Sequence, residues 1–177
     1  RELITTDLNS GASVVTGNKA LLATHGGQLL ELAQAKGVDL LFEAAVAGAI
    51  PVVRTVKEGL AGDKIISISG ILNGTTNYIL DEMTTKGLDY DTALAAAQQL
   101  GYAEADPTAD VEGLDAAAKA AILATLAFGQ EVTLADVSVT GISKITKADI
   151  DQAGARGGVL RLLGTVQAPA GQPSAVV

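Results

Sequence analysis

The spacing of apolar residues changes several times along the chain, and each change marks a predicted element. Leu3, Ile4 and Leu8 share one helical face and Gly11 supplies a stop, so the chain begins as if inside a helix. Ser13-Val14-Val15-Thr16 has the β-branched composition of a strand. A helix is predicted from about Gly26 to Lys36, with Leu29, Leu30 and Leu32 as its apolar face and Gly37 ending it. A second apolar strand follows from Asp39 to Glu43. This helix–strand–helix–strand alternation, with strands too apolar to have a wet face, points to the edge of a parallel, doubly wound sheet.

From Ala44 onward the texture differs. Pro51 suits the first turn of a helix reaching about Glu58. Lys64–Ser69 mixes alternation with β-branched residues and reads as a strand. Asn73-Gly74-Thr75-Thr76 opens a helix carrying Tyr78, Ile79, Leu80 and Met83. Asp91 or Asp89 caps a further helix, Ala93 to Leu100, which Gly101 stops. A long alanine-rich helix is predicted from about Gly113 to Phe128, then a capped segment at Thr146-Lys147-Ala148-Asp149 and a strand from Val159 to Val166. Ala168–Pro173 reads as a loop, after which the chain ends without a closing element. The second part is therefore α+β.

Composition narrows the functional classes. The chain is 48% hydrophobic and 18% charged, which supports a packed core, and three Tyr, two Phe and no Trp leave that core to Ala, Val, Leu and Ile. A net charge of -8 argues against nucleic acid as a partner, because a phosphate backbone would be repelled. The absence of Cys excludes a thiolate nucleophile, a disulfide framework and a zinc–thiolate site, and agrees with a reducing compartment. No apolar run approaches the roughly 18 residues of a membrane span. No basic region precedes an apolar stretch at the N-terminus, and no G-x-G-x-x-G loop or initiating Met is present. The chain reads as a piece of a longer protein, truncated at both ends.

Candidate chemistry concentrates between Gly101 and Lys119. Glu104 and Asp106 lie in a loop that Pro107 stiffens, while Asp115 and Lys119 are one turn apart on the long helix. Alone, that pair is an ordinary surface ion pair worth a few tenths of a kcal/mol. An ammonium beside several carboxylates, against the small surface of Ala116, Ala117, Ala118, Ala120 and Ala121, is instead a candidate reactive centre.

The whole string resembles the signature of homoserine dehydrogenases: Ala97, Gly101, Tyr102, Asp106-Pro107, Asp110-Val111, Gly113, Asp115 and Lys119. Further segments resemble the same family in order, at Val14–Ala23 with its Asn18-Lys19, at Glu43–Pro51 and at Gly70–Leu80. Gly17 stands where Ala or Pro is expected, and Ala47 where Gly is common.

The resemblance implies the edge of a Rossmann-type sheet in residues 1–43, the remnant of a nucleotide-binding domain. Residues 44–177 would be the substrate-binding, catalytic and dimerisation domain. It implies NADP- or NAD-dependent interconversion of L-homoserine and L-aspartate 4-semialdehyde, in the cytoplasm, by a homodimer that uses the strand Lys64–Ser69. Lys119 would transfer the proton, with Lys19 a second candidate; as a residue type alone, Lys19 is equally a solvated lysine in a strand–helix loop. Glu104 and Asp115 would bind the substrate's ammonium and hydroxyl. Gly101, Asn73 and Thr75 complete the implied substrate site, although simple N-capping by Asn73 is equally reasonable. Lys19, Gly101 and Glu104 would also border the cofactor. Glu43, Val46, Gly48 and Ile50 would hold a monovalent cation such as sodium, mostly through carbonyls. His25 is read as a polar loop residue without a catalytic role. The rival readings are a non-catalytic substrate-binding or dimerisation module and a different dehydrogenase; an aspartate-semialdehyde type would need the Cys that is missing.

Overall fold

A computed structural model describes residues 1–168 and 173–177. The first part contains α1 (Glu2–Asn9), β1 (Val14–Val15), α2 (Lys19–Lys36) and β2 (Leu40–Leu41). β1 and β2 pair in parallel, Val14 against Leu40 and Val15 against Leu41, as the alternation predicts. Helix α2 starts a full two turns earlier than Gly26. Asn18 caps it by accepting the Leu21 N–H at 3.1 Å, and the tandem glycines do not interrupt it. Gly27 is instead a contact point, where an added Cβ would lie 3.0 Å from the Glu131 side chain.

The helix expected from Pro51 to Glu58 is shorter and distorted: α3 (Val52–Arg54) runs straight into a π-turn at Thr55–Gly59. Among the described residues four strands follow between the helices: β3 (Ser67–Gly70), β4 (Val137–Ser138), β5 (Gly164–Gln167) and β6 (Ser174–Val176). They form one mixed sheet in the order β3-β5-β6-β4. β3–β5 and β5–β6 are antiparallel, and β4–β6 is parallel. β6 corrects the expectation of a chain without a closing element. The expected loop at 168–173 lies mostly outside the described residues.

The strand predicted from Val159 is confined to Gly164–Gln167. The backbone of Leu162 finds its partners on a side chain instead: Asn77 donates to its carbonyl at 3.0 Å and accepts from its N–H at 3.1 Å. Arg161 is likewise held by Asp81 at 2.6 Å. With both backbone groups of Leu162 met by Asn77, that residue has no need of a neighbouring strand.

The helices of this part are α4 (Gly74–Lys86), α5 (Tyr90–Gln99), α6 (Thr108–Val111), α7 (Leu114–Phe128) and α8 (Lys147–Ala155). Asn73 caps α4, Asp89 rather than Asp91 caps α5, and Thr146 with Asp149 forms a capping box on α8. α7 is the central element, buried at Ala116, Ala117, Ala118, Ala120 and Ala121. Because these side chains are methyl groups, α2 from the first part and β5 and β6 from the second all pack directly on it. A single helix thereby joins the two parts.

Candidate active site

Gly113, in the left-handed region at φ 80°, turns the chain from α6 into α7. Any Cβ there would also press on Val139 at 3.0 Å, so the position is set by conformation and by space. The turn places Asp115 in the first turn of α7, only 8% exposed, where an ionised carboxylate needs partners.

Three groups supply them. Lys19, at the start of α2, pairs with Oδ1. Lys119 donates to Oδ2 at 2.7 Å and to the Leu72 carbonyl at 2.7 Å. The Asn73 side-chain amide donates to Oδ2 at 3.0 Å and also to Asp110 Oδ1 at 2.7 Å. Burial pushes the Asp115 carboxyl up, but the bonds from Lys119, Lys19 and Asn73 together outweigh it. Its pKa lies below the ordinary carboxylate value. The group is a fixed negative charge shared by two ammoniums.

Two cavities meet at this cluster, and Lys119 lines both. One, of about 560 Å³, is walled by Gly74, Thr75, Tyr102, Asp110 and Asp115. Tyr78 and Tyr102 pack against each other at its wall with their rings tilted by 59° and centroids 4.9 Å apart, and the Thr75 hydroxyl donates to the Tyr102 carbonyl at 2.7 Å. The other, of about 410 Å³, lies beyond the C-terminal ends of β1 and β2, where parallel sheets bind ligands. Gly17, Ala20, Ala44, Ala45 and Ala47 line it, so a flat ring could approach the backbone closely.

Of the residues singled out in the sequence, the structure brings together Asp115, Lys119, Lys19, Asn73 and Thr75. Glu104 stays apart: it is exposed, does not line the cavity beside Asp115, and contributes only its backbone carbonyl to Gln98 at 3.0 Å. Gly101 is the left-handed turn after α5, at φ 76°. Asp110 and Tyr102 belong to the site although they were read only as parts of a signature; the Asp110 contact runs through Asn73, which no local spacing reveals. His25 lies inside α2 rather than in a loop, with its Nδ1 buried and unpartnered among the described residues.

The segment proposed for a cation is only partly free to act as one. Both carboxylate oxygens of Glu43 accept backbone N–H groups, from Val53 at 3.0 Å and Arg54 at 2.9 Å, capping the short α3. The Ile50 carbonyl accepts from Val52 at 2.8 Å. Val46 is buried, and Ala47 and Ala49 adopt positive φ of 50° and 67°. Among the described residues no group of three or more His, Cys, Asp or Glu could hold a metal, so oxygen ligands here would be mainly carbonyls.

Comparison with known proteins bears on the whole chain. Residues 51–176 match the family model described as homoserine dehydrogenase, and residues 1–43 the one described as homoserine dehydrogenase, NAD binding domain. The homoserine dehydrogenase of Mycobacterium leprae is 60% identical over 163 residues, covering 92% of this chain and 37% of that protein. The Synechocystis homoserine dehydrogenase is 51% identical over 174 residues, 98% of this chain and 40% of that protein. The crystal structure of a homoserine dehydrogenase from Thiobacillus denitrificans superposes with a TM-score of 0.95 at 45% identity, covering all of this chain and 41% of that one. A hyperthermophilic archaeal homoserine dehydrogenase in complex with NADPH superposes at 0.85 and 30% identity, covering 99% of this chain and 50% of that one. The chain thus spans about two-fifths of the length of the curated relatives it matches.

Proposed function

The chain belongs to the homoserine dehydrogenase family, and from that membership we propose that the protein interconverts L-homoserine and L-aspartate 4-semialdehyde with NAD or NADP. The observation that carries the proposal is the junction at Asp115, where one buried carboxylate holds Lys19 and Lys119 between two cavities. In this reading residues 1–43 belong to the nucleotide-binding part and residues 44–177 to the substrate-binding and dimerisation part.

The small-walled cavity beyond β1 and β2 suits the nicotinamide end of the cofactor, which when bound supplies the hydride chemistry. The larger cavity takes the amino alcohol. Two N–H groups of Lys119 are fixed by Asp115 and Leu72, leaving the third to face the substrate oxygen. As an ammonium, Lys119 donates that proton to the developing alkoxide in the reductive direction and recovers it in the oxidative one. Asp115 keeps the two ammoniums at fixed positions, so Lys19 lies beside the same oxygen as an alternative donor. The Gly74 and Thr75 backbone N–H groups at the start of α4 suit the substrate carboxylate. Its ammonium faces Asp110, which lines the same cavity.

A sodium-like ion at the carbonyls of Val46, Gly48 and Ile50, beside Glu43, is part of the same proposal, as are a cytoplasmic location and a homodimer. The dimer contact is assigned to β3, an edge strand preceded by Ile66 with 78% of its surface exposed. A second reading rests on one observation: the 177 residues contain no G-x-G-x-x-G loop, so alone they would bind substrate without turning it over.

The test places this chain in a complete enzyme, substituted for the aligned span of the Mycobacterium leprae relative. Homoserine-dependent reduction of NADP or NAD is expected. Lys119→Ala should lower turnover by at least about a thousandfold, on the scale of losing a general acid–base group, with the circular dichroism spectrum unchanged. Undiminished turnover in the variant would remove Lys119 from the mechanism.

A further inference from the structure

The Asn73 side chain has every hydrogen-bonding direction committed inside the protein. Its Oδ1 accepts the Thr76 N–H and the Thr76 hydroxyl, each at 2.9 Å. A backbone N–H can only donate, so this contact fixes which end of the amide is oxygen. Both hydrogens of Nδ2 then point at groups that can only accept, Asp110 Oδ1 at 2.7 Å and Asp115 Oδ2 at 3.0 Å. The residue is 5% exposed. An amide so engaged has no donor left for a substrate, although it lies at the wall of the substrate cavity.

We propose that Asn73 is a positioning residue, a clamp that holds the Asp110 and Asp115 carboxylates on one amide nitrogen and so aims Asp115 at the two lysines. This rests on the dehydrogenase reading for its catalytic consequence. The physical case is that two carboxylates from neighbouring helices repel when brought together with little water between them. A neutral double donor between them removes the conflict without adding a charge. It also decides how Asp115 is shared: Oδ2 receives Asn73 and Lys119, leaving Oδ1 to Lys19. Through the cap on Thr76, the same side chain ties the start of α4, and with it Gly74 and Thr75, to the first turn of α7.

Asn73→Ala would remove cap and clamp together, so two other variants separate them. Serine and aspartate both cap helices well, but serine is too short to reach either carboxylate and aspartate puts a third carboxylate against two. The charged groups facing Asp115 are Lys19, Lys119 and, across the amide, Asp110. In the 177-residue chain, the Asp115 carboxyl is followed by carbon-detected NMR through an acid titration. Its midpoint is expected to move up in Asn73→Ser and further up in Asn73→Asp, with the helical signal of both variants unchanged. In the complete hybrid enzyme, kcat for homoserine should fall about tenfold in Asn73→Ser and about a hundredfold in Asn73→Asp, on the scale of an ångström-level misplacement of a reacting group. The KM for the dinucleotide should stay the same. Unchanged Asp115 titration in both variants reduces Asn73 to a helix cap and overturns the proposal, as does a rise in the KM for homoserine with kcat intact, which would make it a direct ligand. A hybrid that never oxidises homoserine defeats the functional reading alone, because the titration still judges the clamp.

Discussion

Replacing Asp115 with alanine removes the one carboxylate on which two ammoniums and an amide converge. Burial decides how much that costs. An exposed pair one helical turn apart is worth about 0.3–0.5 kcal/mol, whereas removing one partner of a buried pair costs about 3–5 kcal/mol. The Asp115 side chain is 7% exposed and that of Lys119 is 19% exposed, against 46% for Lys19. Lys19 can turn to water once its partner is gone, and Lys119 keeps the Leu72 carbonyl. The loss therefore belongs at the lower end of the buried range, about 3 kcal/mol. For a chain of this size that lowers the midpoint of thermal unfolding by roughly 6–12 °C. The folded-state pKa of Asp115 is depressed. Its ionised form thus stabilises the fold above the unfolded value of about 3.9, and the contribution is lost as pH falls through the lower folded value. Thermal unfolding followed by circular dichroism should show the full gap between the two proteins at pH 7 and a narrowing gap only in strong acid. A difference below about 2 °C at pH 7 would put Asp115 among exposed, weak pairs and refute the reasoning.

Other substitutions probe the frame around the site. Gly141→Ala should destabilise the chain by more than about 2 kcal/mol, because the new Cβ would fall 2.5 Å from the Val111 carbonyl oxygen and 2.6 Å from the Glu112 Cα, both backbone atoms; urea unfolding with an unchanged midpoint would contradict that packing. Ala47→Gly should raise the unfolding midpoint slightly, since Ala47 sits at φ 50° and a left-handed alanine costs about 1 kcal/mol. A lower midpoint would mean that the methyl group matters more than the strain. Glu104→Leu should leave stability within about 0.5 kcal/mol, as an exposed side chain away from the Asp115 cluster; a large loss would reveal a structural contact for Glu104.

The sequence made legible whatever was local. Caps at Asn73, Asp89 and Thr146 follow from short-range hydrogen bonding, and the Asp115–Lys119 pair follows from helical spacing. The parallel β1–β2 pair was readable because both strands are continuously apolar. What stayed hidden is set by tertiary partners. Lys19 and Asp115 lie far apart along the chain, and only the packing of α2 on the alanines of α7 brings them together. Local spacing drew Glu104 into the reactive centre because it stands near Asp115 in sequence, while Asn73 and Asp110 form the contact in space. β4 and β6 are too short for a period of two to register. Val159–Leu163 carries strand composition, but both backbone groups of Leu162 are taken by the Asn77 side chain. The leucines at 29, 30 and 32 mark only the second half of α2, whereas its start at Lys19 is set by the Asn18 cap.

The most direct measurement is a crystal structure of the complete hybrid enzyme with homoserine and the oxidised dinucleotide bound. The substrate hydroxyl is expected within hydrogen-bond distance, about 2.6–3.2 Å, of Lys119 Nζ, with Asp115 still bridging both lysines. Homoserine bound elsewhere, or bound with Lys119 turned to solvent and its carboxylate partner released, would contradict the assignment of this cluster as the reactive centre.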